Sequence, residues 1–166
     1  MLIKSLLSHT TLEILQEAIH EELFASNLYK HLSNQCKRAG LSGAAKFFQG
    51  ESGEELEHYQ KIADYINTRG AVAEIPAIES FADKAITSLT EAINAAYDAE
   101  DSLGAKYSKW YSTIVSNDPT TAQFLLEFLN IQADSIGFFA DFKSRLNIAN
   151  GNEAAILMID KELGKS

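Results

Sequence analysis

Apolar residues recur every three or four positions along most of this chain, and the recurrence breaks at only a few places. A stripe of that period is the buried face of an amphipathic helix. The first run covers residues 10–39: Thr10-Thr11-Leu12-Glu13 has the order of a capping box at its start, and Gly40 supplies the stop. Ser42 restarts the period after a short turn, and it continues to 69 with Gly70 just beyond. So short a turn makes these two helices antiparallel. Residues 71–86 hold Pro76 and no sustained period, which makes them a connection long enough to cross a bundle. Ser88-Leu89-Thr90-Glu91 caps a third run over 88–116, and Asn117-Asp118-Pro119 opens a fourth over 119–147 with proline at its first helical position. A short fifth helix over 152–163 follows Ala149-Asn150-Gly151. No stretch alternates with the period of a strand. The expectation is an all-α protein, a four-helix bundle with one long crossover and a short C-terminal helix, in one domain spanning 1–166.

The stripes carry a second message when they are laid out at seven-residue spacing. The first helix places Leu15, Glu22 and Tyr29 beside Ala18, Ala25 and Leu32. The second places Phe48, Glu55 and Ile62 beside Glu51, His58 and Tyr65. The third gives Ile93, Glu100, Tyr107 and Ile114; the fourth gives Leu125, Gln132, Phe139 and Leu146 beside Phe128, Ser135 and Phe142. Each apolar stripe is therefore interrupted near its middle. Three carboxylates and an imidazole meeting in one cross-section lose hydration, and the carboxylates repel one another, unless they are neutral and hydrogen-bonded or hold a cation. A dication offsets both costs. Glu55 and His58 are three apart and project as neighbours from one helix face, so both can reach one metal, or Glu55 can bridge two. Carboxylate oxygens with one imidazole nitrogen suit iron or manganese, and such sets also take zinc.

Composition changes the picture little. With 166 residues, 46% of them hydrophobic, the chain is long enough for a full core. A formal net charge of -9 argues against nucleic acid and anionic membranes as partners and favours attraction of cations. Cys36 is the single cysteine, so no disulfide framework forms within the chain and a reducing, cytoplasmic setting fits. It reads as an inert, buried thiol. Neither a secretory leader nor an apolar run of membrane-spanning length is evident. His9, His20 and His31 lack partner spacing and read as surface residues, and Tyr29, Tyr107, Trp110 and Tyr111 read first as core packing.

The segments HEELFASNLY, GEELEHYQKIADYI, NDPTTAQFLLEFLNIQ and GNEAAILMIDKEL together resemble the non-haem ferritins of the iron-storage type, and the likeness covers nearly the whole chain. It implies the ferritin-like bundle and oxidation of iron(II) at a di-iron ferroxidase centre within each subunit, with dioxygen or hydrogen peroxide as oxidant. Glu22 then resembles the terminal carboxylate of the first iron site, Glu55 the bridging carboxylate, His58 the imidazole of the first site and Glu100 a ligand of the second. Tyr29 matches the tyrosine beside the centre and Gln132 the glutamine near it. The resemblance also implies storage of the iron(III) mineral inside a cage of 24 subunits, with the fifth helix near the four-fold axes.

Departures from the family pattern matter to mechanism. Ser135 stands where many bacterial ferritins carry a glutamate, Asp134 keeps an acid next door, and Ile131 takes another position that is often acidic. The second site therefore looks under-ligated and similar to the catalytic chains of animal ferritins, which implies a transit centre with a labile second iron. Glu54, Glu51 and Asp134 are left as a poor auxiliary site. Leu56 and the pair Gln132 and Ser135 stand where a haem-binding relative would have methionine and a second Glu-x-x-His, so no haem is expected. Gln123 and Leu126 occupy places that are acidic in animal three-fold channels, which leaves that entry route unsupported. Two other readings are a non-catalytic cage and nucleation subunit, which would lack the four ligands, and a small-molecule di-iron oxygenase, which would carry a second Glu-x-x-His.

Overall fold

A computed structural model describes residues 4–81 and 84–166. The helices run His9–Arg38 (α1), Ser42–Thr68 (α2), Leu89–Ile114 (α3), Pro119–Ala149 (α4) and Glu153–Leu163 (α5). No strand occurs among the described residues. α1 packs along α2 and α3 along α4, α1 meets α3, and α5 lies against α2 and the end of α4. Across the α2–α4 face Phe47 stacks on Phe138 with ring centroids 5.2 Å apart, and Phe48 on Phe139 at 6.5 Å. This is the expected bundle with its crossover between α2 and α3. No described helix is long and apolar enough to cross a membrane.

The helix ends follow local chemistry, with one correction at the start. α1 is capped by Ser8, whose hydroxyl accepts the N–H of Thr11 at 3.1 Å, so the helix opens before the capping box expected at Thr10. Thr11 is instead buried, and its hydroxyl accepts from Ser8 at 2.9 Å. α3 and α4 start where expected, under Ser88 and under Asp118 with Pro119 behind it. α3 stops at Ile114, a little short of 116, and α4 runs on to Ala149, where Asn150 turns left-handed at φ 46°. The connection is tied to α1 by Gln16, whose side chain exchanges two hydrogen bonds with the Glu74 backbone at 3.1 and 3.0 Å.

The apolar core divides into two clusters. One gathers Leu32, Phe48, Ile93, Phe139 and Leu146, with Tyr29 at its inner edge. The other gathers Leu15, Ile19, Ile62, Ile66 and Phe128, with Tyr107 at its inner edge. The polar residues that interrupt the stripes lie in the middle of the helices: Glu22, Glu55, Glu100 and Gln132 are all buried, none more than 4% exposed.

Candidate metal centre

Mid-helix positions on the core stripes bring the side chains together. His58 Nδ1 lies 3.1 Å from Glu55 Oε2, its neighbour one turn earlier on α2, and 3.5 Å from Glu22 Oε2 on α1. One donor atom from each of Glu22, Glu55 and His58 falls within 4.8 Å of the others, the one such group of three or more ligating side chains among the described residues. The Phe128 ring packs edge-on against the imidazole at 5.9 Å.

Two tyrosines complete the layer in a crossed arrangement. Tyr29 on α1, one heptad after Glu22, donates its hydroxyl to Glu100 Oε1 on α3. Tyr107 on α3, one heptad after Glu100, donates its hydroxyl to Glu22 Oε1 on α1. Gln132 on α4, with its amide nitrogen turned to the acceptors around it, donates to Glu100 Oε2 at 2.8 Å and to the Glu100 carbonyl at 3.1 Å. Both oxygens of Glu100 are thus engaged. Glu22 differs: Tyr107 holds Oε1, while Oε2 is buried with no hydrogen-bond partner, the His58 nitrogen at 3.5 Å being too far for a good one.

An orphaned carboxylate oxygen in a protein interior is costly, and a hard dication beside Glu55 and His58 removes the cost. The donor set of two carboxylates and one imidazole fits iron in this respect. Burial pushes the Glu55 carboxyl well above the usual range, with His58 opposing and Glu22 adding to the rise. Glu100 rises to about 6, chiefly through burial and against the Tyr29 hydrogen bond. Burial alone would lower His58, but the neighbouring Glu22 and Glu55 carboxylates outweigh it and raise the imidazole to about 10. Without metal the protonated forms of Glu55, Glu100 and His58 are therefore favoured.

The remaining candidates lie elsewhere. Glu51, Glu54, Asp134 and Ser135 line a separate pocket of about 290 Å³ between α2 and α4, and they do not join the converged group. Burial, then Glu54 and Glu100, raise Glu51 to about 7. Cys36 is fully buried, and burial raises its thiol to about 11, in line with an inert role. The other histidines, expected to be free on the surface, all have partners. His9 pairs with Glu13 at 3.2 Å, one helical turn on; His20 pairs with Glu21 and Glu79; and His31 meets the Lys84 carbonyl. Sequence reasoning also missed the contact of Tyr107 with Glu22. The available signal was the repeated Glu-x6-Tyr spacing, Glu22 to Tyr29 and Glu100 to Tyr107.

Comparison with known proteins agrees with this architecture. The ferritin-like domain family matches residues 12–148. A probable bacterial non-heme ferritin-like protein of Haemophilus influenzae is 30% identical over 96% of both chains. A bacterial non-heme ferritin of Staphylococcus aureus is also 30% identical over 96% of each. Among solved structures, an open pore ferritin from Archaeoglobus fulgidus superposes with a TM-score of 0.91 at 22% identity, covering 96% of this chain and 99% of that one, a likeness of fold. The chain belongs to the ferritin family.

Proposed function

We propose that this chain is a ferroxidase subunit of an iron-storage cage. The observation that carries the reading is the convergence of Glu22, Glu55 and His58, with the buried Glu22 Oε2 lacking a hydrogen-bond partner. Iron(II) enters as substrate: Glu22 and His58 hold the first ion, Glu55 bridges to a second, and Glu100 holds the second once Tyr29 and Gln132 yield an oxygen. Two iron(II) ions supply two electrons to dioxygen, which takes up two protons and leaves as hydrogen peroxide. Hydrogen peroxide is itself a competent oxidant for further iron(II). The carboxylates favour the more highly charged iron(III) product, while burial keeps water from competing for the oxidant.

Gln132 and Tyr29 act as orienting groups, and Glu51, Glu54 and Asp134 form at most an auxiliary site. Iron(III) leaves the centre and hydrolyses inside a shell of 24 copies, since one bundle encloses no storage space. Residues 1–166 act as one ferritin-like unit, the cage is cytoplasmic, and no haem takes part. The engagement of Glu100 by two donors supports a labile second ion and hence a transit centre.

The test is stopped-flow absorbance of iron(III) after mixing metal-free protein with enough iron(II) in air to fill both positions, followed by an equal second dose. Rapid oxidation of both doses is expected, with the rapid phase lost in Glu55→Ala. Oxidation of the first dose alone would reject the transit centre, and absence of any rapid phase would reject the ferroxidase reading.

A further inference from the structure

We propose that Tyr107 and Trp110 form an electron relay from the iron centre to the protein surface, which supplies the missing electron when hydrogen peroxide meets a centre holding one iron. The inference rests on the ferroxidase reading above. It begins from a difference between the two tyrosines of the polar layer. Tyr29 is fully buried, and its ring neighbours are Phe48 at 5.8 Å and Phe139 at 6.4 Å. Phenylalanine is not oxidised by a tyrosyl radical, so a radical on Tyr29 has no onward route through these rings. Tyr107 is equally buried, but the Trp110 indole meets its ring nearly perpendicularly at 5.0 Å between centroids. Tryptophan and tyrosine have similar one-electron potentials, and electron tunnelling is fast between rings in contact.

Trp110 leads outward. Its indole N–H donates to Glu17 Oε2 at 3.0 Å, and it lines an open groove of about 820 Å³ bordered by α1, α3 and the α2–α3 connection. Each member of the pair therefore has a carboxylate placed to take the proton that leaves with its electron: Glu22 for the Tyr107 hydroxyl and Glu17 for the Trp110 indole.

The need for such a path follows from the asymmetry of the centre. Glu100 has both oxygens engaged, so occupancy by one iron is the ordinary partial state. Hydrogen peroxide needs two electrons to become two waters, and one iron(II) gives one, which otherwise releases a hydroxyl radical. In the relay, iron(II) gives the first electron and becomes iron(III), and Tyr107 gives the second. The hydroxyl proton of Tyr107 is held on Glu22, and with two protons from solvent the peroxide becomes two waters. Trp110 then reduces the tyrosyl radical, its N–H proton moving to Glu17 while Tyr107 recovers a proton from Glu22. A small one-electron reductant in the groove, such as ascorbate, restores Trp110 with a proton.

The experiment mixes protein loaded anaerobically with one iron(II) per chain with hydrogen peroxide, followed by freeze-quench electron paramagnetic resonance. The expected result is an organic radical whose hyperfine pattern changes with ring-deuterated tyrosine at early times and with ring-deuterated tryptophan later. The signal is lost in Tyr107→Phe and kept in Tyr29→Phe. In Trp110→Phe the tyrosyl radical persists and ascorbate no longer quenches it at the native rate, a readout that does not depend on how well Tyr107→Phe assembles. A signal that survives Tyr107→Phe, or disappears with Tyr29→Phe, overturns the relay. Iron(III) formed without any radical overturns the relay alone, whereas failure to form iron(III) overturns the ferroxidase reading and the relay with it.

Discussion

Asp160, on the short C-terminal helix, accepts the backbone N–H of Ala44 at 2.7 Å and so caps a helix that begins 118 positions earlier in the chain, at Ser42. Its second oxygen accepts the Gly43 N–H at 3.0 Å. Leu41, the local cap residue of α2, has no side-chain hydrogen bond to give, so the exposed donors and positive end of α2 are satisfied from α5. The approach is close enough to demand glycine: a Cβ on Gly43 would stand 1.8 Å from the Asp160 carbonyl oxygen, and one on Gly164 would stand 2.6 Å from Gly43 Cα.

Replacing Asp160 by alanine is expected to cost about 0.5–2 kcal/mol, the usual worth of a helix cap. Gly43→Ala should act differently, since the new methyl group has no room while α5 stays docked. Limited proteolysis is the discriminating measurement: Gly43→Ala should release fragments cut between α4 and α5 under conditions where the native chain stays intact. Equal resistance of the two would mean that α5 docks without this contact.

Removal of Glu22 by alanine should weaken binding of the first dication by more than the roughly 10–100-fold that loss of a merely supporting partner costs. Calorimetric titration with cobalt(II), which air does not oxidise at such a site, reads this directly. Asp134→Ala, outside the converged group, should leave the tightest binding unchanged.

Stability of the metal-free protein should fall as pH rises. Glu51 at about 7, Glu100 at about 6 and His58 at about 10 all sit above their ordinary values, so the folded state holds more protons than the unfolded one. Each contributes its full share below the unfolded pKa and loses it as pH climbs through the folded one, a window from about 4.5 to about 10. Glu91 is shifted down and acts in the opposite sense, but only at pH below its ordinary 4.5. Denaturant midpoints at about pH 6 and about pH 9 should therefore decrease, and saturating cobalt(II), which displaces the protons, should flatten the decrease.

Cys36 should resist thiol reagents at neutral pH, being fully buried with its pKa raised to about 11. Modification should appear only with unfolding, at the rate of loss of helical circular dichroism. Rapid labelling of folded protein would show that the α1–α2 corner opens locally.

Most of the helical frame was legible because each boundary carried local chemistry, as at Ser88, Asp118 and Asn150. The convergence of Glu22, Glu55 and His58 was legible too, because an acid in mid-stripe has nowhere to point but the core. Contacts between helices were less so. Heptad spacing places Tyr107 on the right face but does not say which carboxylate across the bundle receives its hydroxyl. The Thr10 to Glu13 pattern obscured Ser8, and nothing near Leu41 hinted that its cap would come from Asp160. The His9–Glu13 pair was visible as an i, i+4 spacing and was overlooked.

Because the core-facing stripe of each of the four long helices is mainly apolar toward both ends and carries Glu22, Glu55, Glu100 or Gln132 near its middle, holding the bundle together and the proposed work on metal fall to different stretches of the same rods. The waist can be re-equipped for another ion while the flanking layers keep the geometry, and the flanking layers can drift in sequence without disturbing the chemistry between them. A chain built this way separates what must be kept for shape from what can be changed for use.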